Sequence, residues 1–126
     1  YDEVAVVAIN PNDAVQYPED DFETMVEYVE AGKIDVDAYL RDESQAVARA
    51  YGAVCTPDPF LFAREDGGFR LAYQGRFDDA LSPEDQPSEA PGFEMRAAID
   101  EVLAGREVSL EWRPSRGCSI KWKPEN

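Results

Sequence analysis

The stretch Tyr51-Gly-Ala-Val-Cys-Thr-Pro-Asp-Pro-Phe-Leu-Phe62 brings a thiol, a hydroxyl and two prolines to the entry of an apolar strand. A thiolate attacks disulfides and peroxides, so Cys55 is a candidate redox group. Pro57 and Pro59 cannot donate to a sheet ladder and belong at the strand entry, not inside it. An X-Pro bond in a tight loop is also where a cis peptide costs little. Such a loop presents unpaired backbone groups to whatever lies opposite, which makes Thr56 and Pro57 candidate substrate-binding residues. The second thiol, Cys118, lies in a loop beside Arg116, Lys121 and Lys123, the only local cluster of positive charge. Positive neighbours favour a thiolate.

Each thiol has a plainer alternative. Cys55 either meets a redox partner, or resolves a disulfide formed elsewhere, or is a small buried hydrophobe at a strand entry. The acid around it raises its pKa, and it makes a poor lone peroxidatic cysteine. Cys118 is a regulatory or resolving thiol, or a bridge to Cys55, or part of a tail packing Ile120 and Trp122 onto the core. A bridge needs Cα atoms within about 7 Å. Asp78-Asp79 and Glu19-Asp20-Asp21 match no calcium-loop spacing and read as solvated acidic surface. The turn-rich loop from Asn10 to Asp13 reads as a plain turn, with a place near an active face as the alternative, since it follows a strand end. Trp112 and Trp122 read as tail anchors.

Composition removes several function classes. The chain has no histidine, which excludes His-based general-base catalysis, a Ser-His-Asp triad and most zinc sites. Its net charge of −15 over 126 residues repels phosphate backbones and anionic lipid, so neither nucleic acid nor membrane is an expected partner. The acid is spread along the chain. That pattern suits adaptation to a high-salt cytoplasm, with an acidic partner-binding surface as the alternative. No run approaches the roughly 20 apolar residues of a membrane span, and no secretory segment opens the chain. The sequence predicts a soluble, cytoplasmic protein of one domain over residues 1–126, with residues 107–126 as a C-terminal tail.

The elements that position the candidate residues follow from periodicity. Residues 4–10 form a continuous apolar run, which predicts a strand buried on both faces. Asp20 with Glu23 can form a capping box, and Phe22, Met25, Val26 and Val29 make one helical stripe ending at Gly32. Residues 38–40 suggest a short strand. Asp42 with Gln45 can cap a second helix that runs to Tyr51, with Val47, Ala50 and Tyr51 inward. Strands at 60–63 and 69–73 flank a hairpin turn at 65–68, whose glycines tolerate positive φ. A long acidic loop covers 75–90. Pro91 opens a third helix with Met95, Ile99, Val102 and Leu103 as its stripe, closed by Gly105. This order is an α/β arrangement with a mixed sheet.

Six strings in one order carry a resemblance: Val7-Ala-Ile-Asn-Pro-Asn-Asp-Ala14, Tyr17-Pro-Glu-Asp20, Asp42-Glu-Ser-Gln-Ala-Val-Ala48, Tyr51-Gly-Ala-Val-Cys-Thr-Pro-Asp58, Gly75-Arg-Phe-Asp-Asp79 and Gly117-Cys-Ser-Ile-Lys-Trp-Lys123. Together they resemble a peroxiredoxin-like branch of the thioredoxin superfamily, the alkyl hydroperoxide reductase/thiol-specific antioxidant group. The resemblance implies a thioredoxin-like mixed sheet flanked by helices, with Pro57 as the cis-proline and the loop around it hydrogen-bonding extended substrates. It also implies a Cys-x-x-Cys after an early strand. Nothing here matches that N-terminal strand-helix-strand part, and the Pro-x-x-x-Thr-x-x-Cys pattern of true peroxiredoxins is absent. The expected function is therefore a thiol-disulfide oxidoreductase with an antioxidant role in the complete protein, this chain being redox-incompetent alone. The alternative is a redox-inactive binding module that uses the Pro57 loop and an open sheet edge. Expected partners are a thiol or disulfide protein, a peroxide, or a second copy through the open edge. Such chemistry uses no metal or organic cofactor, only electrons from another thiol system.

Overall fold

The structure is a computed structural model that describes residues 3–80, 85–111 and 113–124. Among the described residues the architecture is mixed α/β: three two-stranded sheets, one parallel and two antiparallel, with three α-helices. The chain divides into two compact units, Tyr1–Val54 with Ile120–Asn126, and Cys55–Ser119. Among the described residues, no helix is long and apolar enough to cross a membrane.

In the first unit, β1 (Val7–Asn10) and β2 (Ala38–Arg41) run parallel in the register Val7 to Ala38 through Asn10 to Arg41. Parallel strands need a crossover, and helix α1 (Phe22–Glu30) supplies it. Strand β1 is shorter than the apolar run predicts. Val6 N–H is taken by the Asp37 carboxylate at 2.7 Å, so the ladder starts one residue later. The expectation of burial on both faces is also corrected. Val6 and Val7 are 51% and 52% exposed, so side chains at the start of the strand stay open to solvent.

Asp21, not Asp20, caps α1, accepting from the Thr24 amide at 2.8 Å and the Thr24 hydroxyl at 2.7 Å. Pro18 explains the difference: it begins a 3-10 turn, Pro18–Asp20, that absorbs Asp20. Of the predicted stripe, Met25 is buried, whereas Phe22, Val26 and Val29 remain exposed. Helix α2 (Ala46–Tyr51) begins where Asp42 accepts from the Val47 and Ala48 amides at 3.3 and 2.8 Å. That anchoring turns Ala48 inward and leaves Val47, Ala50 and Tyr51 exposed, which corrects the predicted inward face.

The second unit holds β3 (Cys55–Thr56), β4 (Phe60–Glu65), β5 (Gly68–Gln74), α3 (Phe93–Leu103) and β6 (Cys118–Ser119). β4 and β5 form the expected hairpin, with Glu65 opposite Gly68 and Gly67 at φ 87° in the turn. Its core joins Tyr73, Met95 and Ala98, with Leu61, Ile99, Val108 and Leu110 packed against them. Helix α3 starts at Phe93, two residues after Pro91, because Gly92 adopts a left-handed conformation as the cap. Leu103 of the predicted stripe is exposed, and Ala98 lies in the core instead. Trp112, read as a tail anchor, and residues 81–84 of the acidic loop lie outside the described residues.

Candidate functional site

In sequence, residues 55–57 come between a helix end and a hairpin. Gly52 closes α2 in a left-handed conformation, β3 follows, and the Thr56–Pro57 peptide is cis. Two residues beyond Pro57, Pro59 is buried and β4 begins. Both prolines therefore stand at the strand entry, where the missing N–H costs nothing.

Opposite this loop lies the tail, paired as a strand and not through a bridge. Cys118 and Ser119, in the tail, form strand β6 and pair antiparallel with β3, Thr56 facing Cys118 and Cys55 facing Ser119. The Thr56 hydroxyl donates to Cys118 O at 3.4 Å. The preceding tail residues are also fixed. Ser115 Oγ donates to the Asp58 carboxylate at 2.7 Å. Arg116 donates through one guanidinium nitrogen to Asp79 O and Ala80 O at 3.0 and 3.3 Å. Gly117 lies so close to the Thr56–Pro57 peptide that a Cβ there would sit 2.6 Å from Thr56 C and 2.9 Å from Pro57 N. No side chain fits in that space, so glycine is required by contact and not by dihedral angle. Farther back, Arg113 O accepts from Arg76 N–H at 3.3 Å beside Gly75.

Three of the four predicted site residues, Cys55, Thr56 and Cys118, are thus brought together by one short ladder, and Pro57 follows it directly. The two thiols are free and do not form the bridge offered as one reading. Side chains alternate along a strand, and Thr56, not Cys55, is opposite Cys118. The two sulfurs therefore project to opposite faces of the ladder. Cys55 is half-buried and its Sγ donates to Pro57 O at 3.4 Å. Burial, and secondarily the Asp58 carboxylate, push its pKa up from the ordinary thiol value. That is the opposite of nucleophile activation. Cys118 is exposed. Arg116, read from sequence as its cationic neighbour, spends its guanidinium on backbone carbonyls.

The acidic pairs have structural partners. Asp78 accepts from the Ala80 and Gly92 amides, Asp79 from Ser88, and Asp20 from the Asn12 side chain. Asp79 is held below the usual carboxylate range by its side-chain and backbone bonds to Ser88. Among the described residues, no cluster of Cys, Asp and Glu could hold a metal ion. The loop that carries Asp78 and Asp79 is steadied by a buried ion pair, Arg76 Nε to Glu94 Oε1 at 2.6 Å, with the side chains 14% and 10% exposed.

A second cluster, missed by pattern reading, lies in the first unit. Gln45, 1% exposed, donates through Nε2 to Pro11 O at 2.8 Å and Lys121 O at 3.0 Å, and accepts from Lys123 N–H at 3.0 Å. Lys121 N–H also donates to Asn12 Oδ1 at 2.9 Å, and Asp13 N–H donates to Lys121 O at 2.7 Å. Arg41 holds the carbonyls of Asn10 and Asn12 at 3.0 and 2.6 Å. The loop from Asn10 to Asp13 is therefore a tail anchor, and its polar groups are committed to structure. Trp122 lies beneath the Arg49 guanidinium, 4.4 Å from the ring centroid, and Ile120 is buried as expected. Gln45 had one sequence signal, its place at a helix start, but nothing local announces partners more than seventy residues away.

No protein-family model matches the chain, and no curated protein matches it. Solved structures do. A hypothetical protein from Sinorhizobium meliloti 1021 is 46% identical with a TM-score of 0.81, the match covering 96% of this chain and 63% of that one. An uncharacterized conserved protein from Geobacillus kaustophilus is 46% identical with a TM-score of 0.82, covering 98% of this chain and 62% of that one. The chain shares its fold with both and spans less than two thirds of the length of either.

Proposed function

We propose that this chain is part of a thioredoxin-like, peroxiredoxin-like thiol-disulfide oxidoreductase in which residues 55–57 receive an extended substrate. One observation carries this reading. The residue before Pro57 already pairs, as a strand, with an extended segment that places an exposed thiol opposite it. The element order supports it too: a parallel pair joined by α1, then α2, then a Cys-Thr-Pro loop opening into an antiparallel hairpin, then α3.

Within this reading, Thr56 and Pro57 orient the substrate backbone and the attack falls to a dithiol. The 126 residues contain Cys55 and Cys118 and no Cys-x-x-Cys. Cys55 has a raised pKa and a partly buried thiol, which suits it poorly for attack. The test is insulin reduction with dithiothreitol as electron source, run on this chain and on the longer Geobacillus kaustophilus protein. We expect turnover by the longer protein and none by this chain. Silence from both removes the redox reading, and turnover by this chain refutes its inactivity.

A second reading, a redox-inactive binding module, is favoured by the half-exposed Val6 and Val7 at the start of β1. An apolar strand with one ladder partner can accept another by strand addition. Silence of both proteins in the insulin assay is the outcome this reading expects.

A further inference from the structure

We propose that residues 115–119 are an internal occupant of the strand edge at Cys55 and Thr56, an autoinhibitory strap that must leave before an extended peptide from another molecule can pair there. The proposal rests on reading residues 55–57 as a peptide-receiving edge, and adds that the edge is already filled.

The strap is built to be held by polar and backbone contacts, not by a buried apolar surface. Its ladder is two residues long, and both strand residues, Cys118 and Ser119, are exposed. Beyond the ladder, its attachments are the Ser115 hydroxyl on Asp58, the Arg116 guanidinium on two carbonyls, the Thr56 hydroxyl on Cys118 O, and the seat of Gly117 on the Thr56–Pro57 peptide. Each polar contact is individually modest, and those of Arg116 face solvent. Little apolar area would be lost on release. Meanwhile, Lys121 and Lys123 remain tied to Gln45, Asn12 and Asp13, so the tail is anchored on the far side of the strap. A two-residue strand followed in sequence by separately bonded residues can open without freeing the whole tail.

The seat also defines the ligand. Whatever replaces the strap in the same pairing meets the same lack of space over the Thr56–Pro57 peptide. The displaced occupant and its competitor share one chemistry, an extended segment with glycine at that position, followed by residues that tolerate a strand edge.

Competition of this kind weakens an outside peptide by the fraction of time the edge is open, so a strap closed about nine tenths of the time costs about tenfold in apparent affinity. The experiment uses the full chain under excess reductant. The probe is a fluorescein-labelled synthetic peptide of residues 113–121 carrying Cys118→Ser, followed by fluorescence anisotropy. Gly117→Ala in the protein puts a methyl group into backbone atoms and dislodges the strap. It is expected to tighten probe binding about tenfold, while the same substitution in the probe abolishes binding. Ser115→Ala with Arg116→Ala removes the two side-chain attachments without adding bulk and is expected to act in the same direction. A gain below about threefold in Gly117→Ala with an unchanged far-UV circular dichroism spectrum overturns the proposal. If Gly117→Ala does not fold, the Ser115→Ala/Arg116→Ala chain decides by the same criterion. No thiol takes part in this assay, so its result is separate from insulin reduction. Tightened binding with both proteins silent on insulin leaves the strap and removes the redox reading; turnover without tightened binding does the reverse.

Discussion

Replacing Gln45 by alanine should cost the chain about 2–4 kcal/mol. The substitution removes three hydrogen bonds made by a side chain that is 1% exposed. Lys121 O keeps the bond from the Asp13 amide, whereas Pro11 O and Lys123 N–H lose the partner that Gln45 gives them. A buried group left unsatisfied costs about 1–3 kcal/mol, and water entering the vacated space recovers part of that. The backbone separates alanine from glycine at this position. Gln45 has φ 66°, a left-handed conformation that costs a residue with a Cβ roughly 1–2 kcal/mol. Gln45→Gly loses the same three bonds but not this strain, so it should be about 1 kcal/mol more stable than Gln45→Ala. Urea unfolding of the three chains measures both differences, and amide hydrogen exchange at Lys123 reports the local loss. A Gln45→Ala cost below about 1 kcal/mol would refute the claim that Pro11 O and Lys123 N–H depend on this side chain. A glycine variant less stable than the alanine variant would refute the strain argument.

Other consequences follow from the second unit. Glu94→Ala leaves the Arg76 guanidinium, 14% exposed, without its carboxylate and should cost about 3–5 kcal/mol in chemical unfolding; Arg76→Met with Glu94→Leu should restore most of it. Cys55 should alkylate with a pH midpoint above that of an ordinary thiol, read by peptide-resolved mass spectrometry, and Asp58→Asn should bring that midpoint partly down. The folded chain holds this proton more tightly than the unfolded chain, so the contribution is fully present below the ordinary thiol pKa. It is lost as pH rises through the raised one.

The parts of the fold that were legible in the sequence are those specified within a few residues. The Asp66-Gly67 turn encodes its hairpin because a two-residue loop needs positive φ. The 3.6-residue stripes located α1 and α3, though their ends moved by one or two residues where Pro18 and Gly92 imposed their own geometry. The apolar run before Asn10 located a strand but not its environment, because burial depends on neighbours in space. The site was half legible. Cys55, Thr56 and Pro57 are noticeable as residue types, yet the ladder with Cys118 joins positions more than sixty apart through backbone groups that every residue carries. Gly117 and Gln45 were hidden for the same reason. One matters for an atom it lacks, and the other for partners on a distant part of the tail.

A two-residue ladder has almost no side-chain pattern with which to choose its alignment, and slippage would ordinarily be easy. Here the choice is made by subtraction. Sliding the tail one step either way would bring Arg116 or Cys118 over the Thr56–Pro57 peptide, and each carries a carbon where there is room for hydrogen alone. The bare position at Gly117 works as a keyway, and it fixes Cys118 opposite Thr56 more firmly than the length of the strand would suggest.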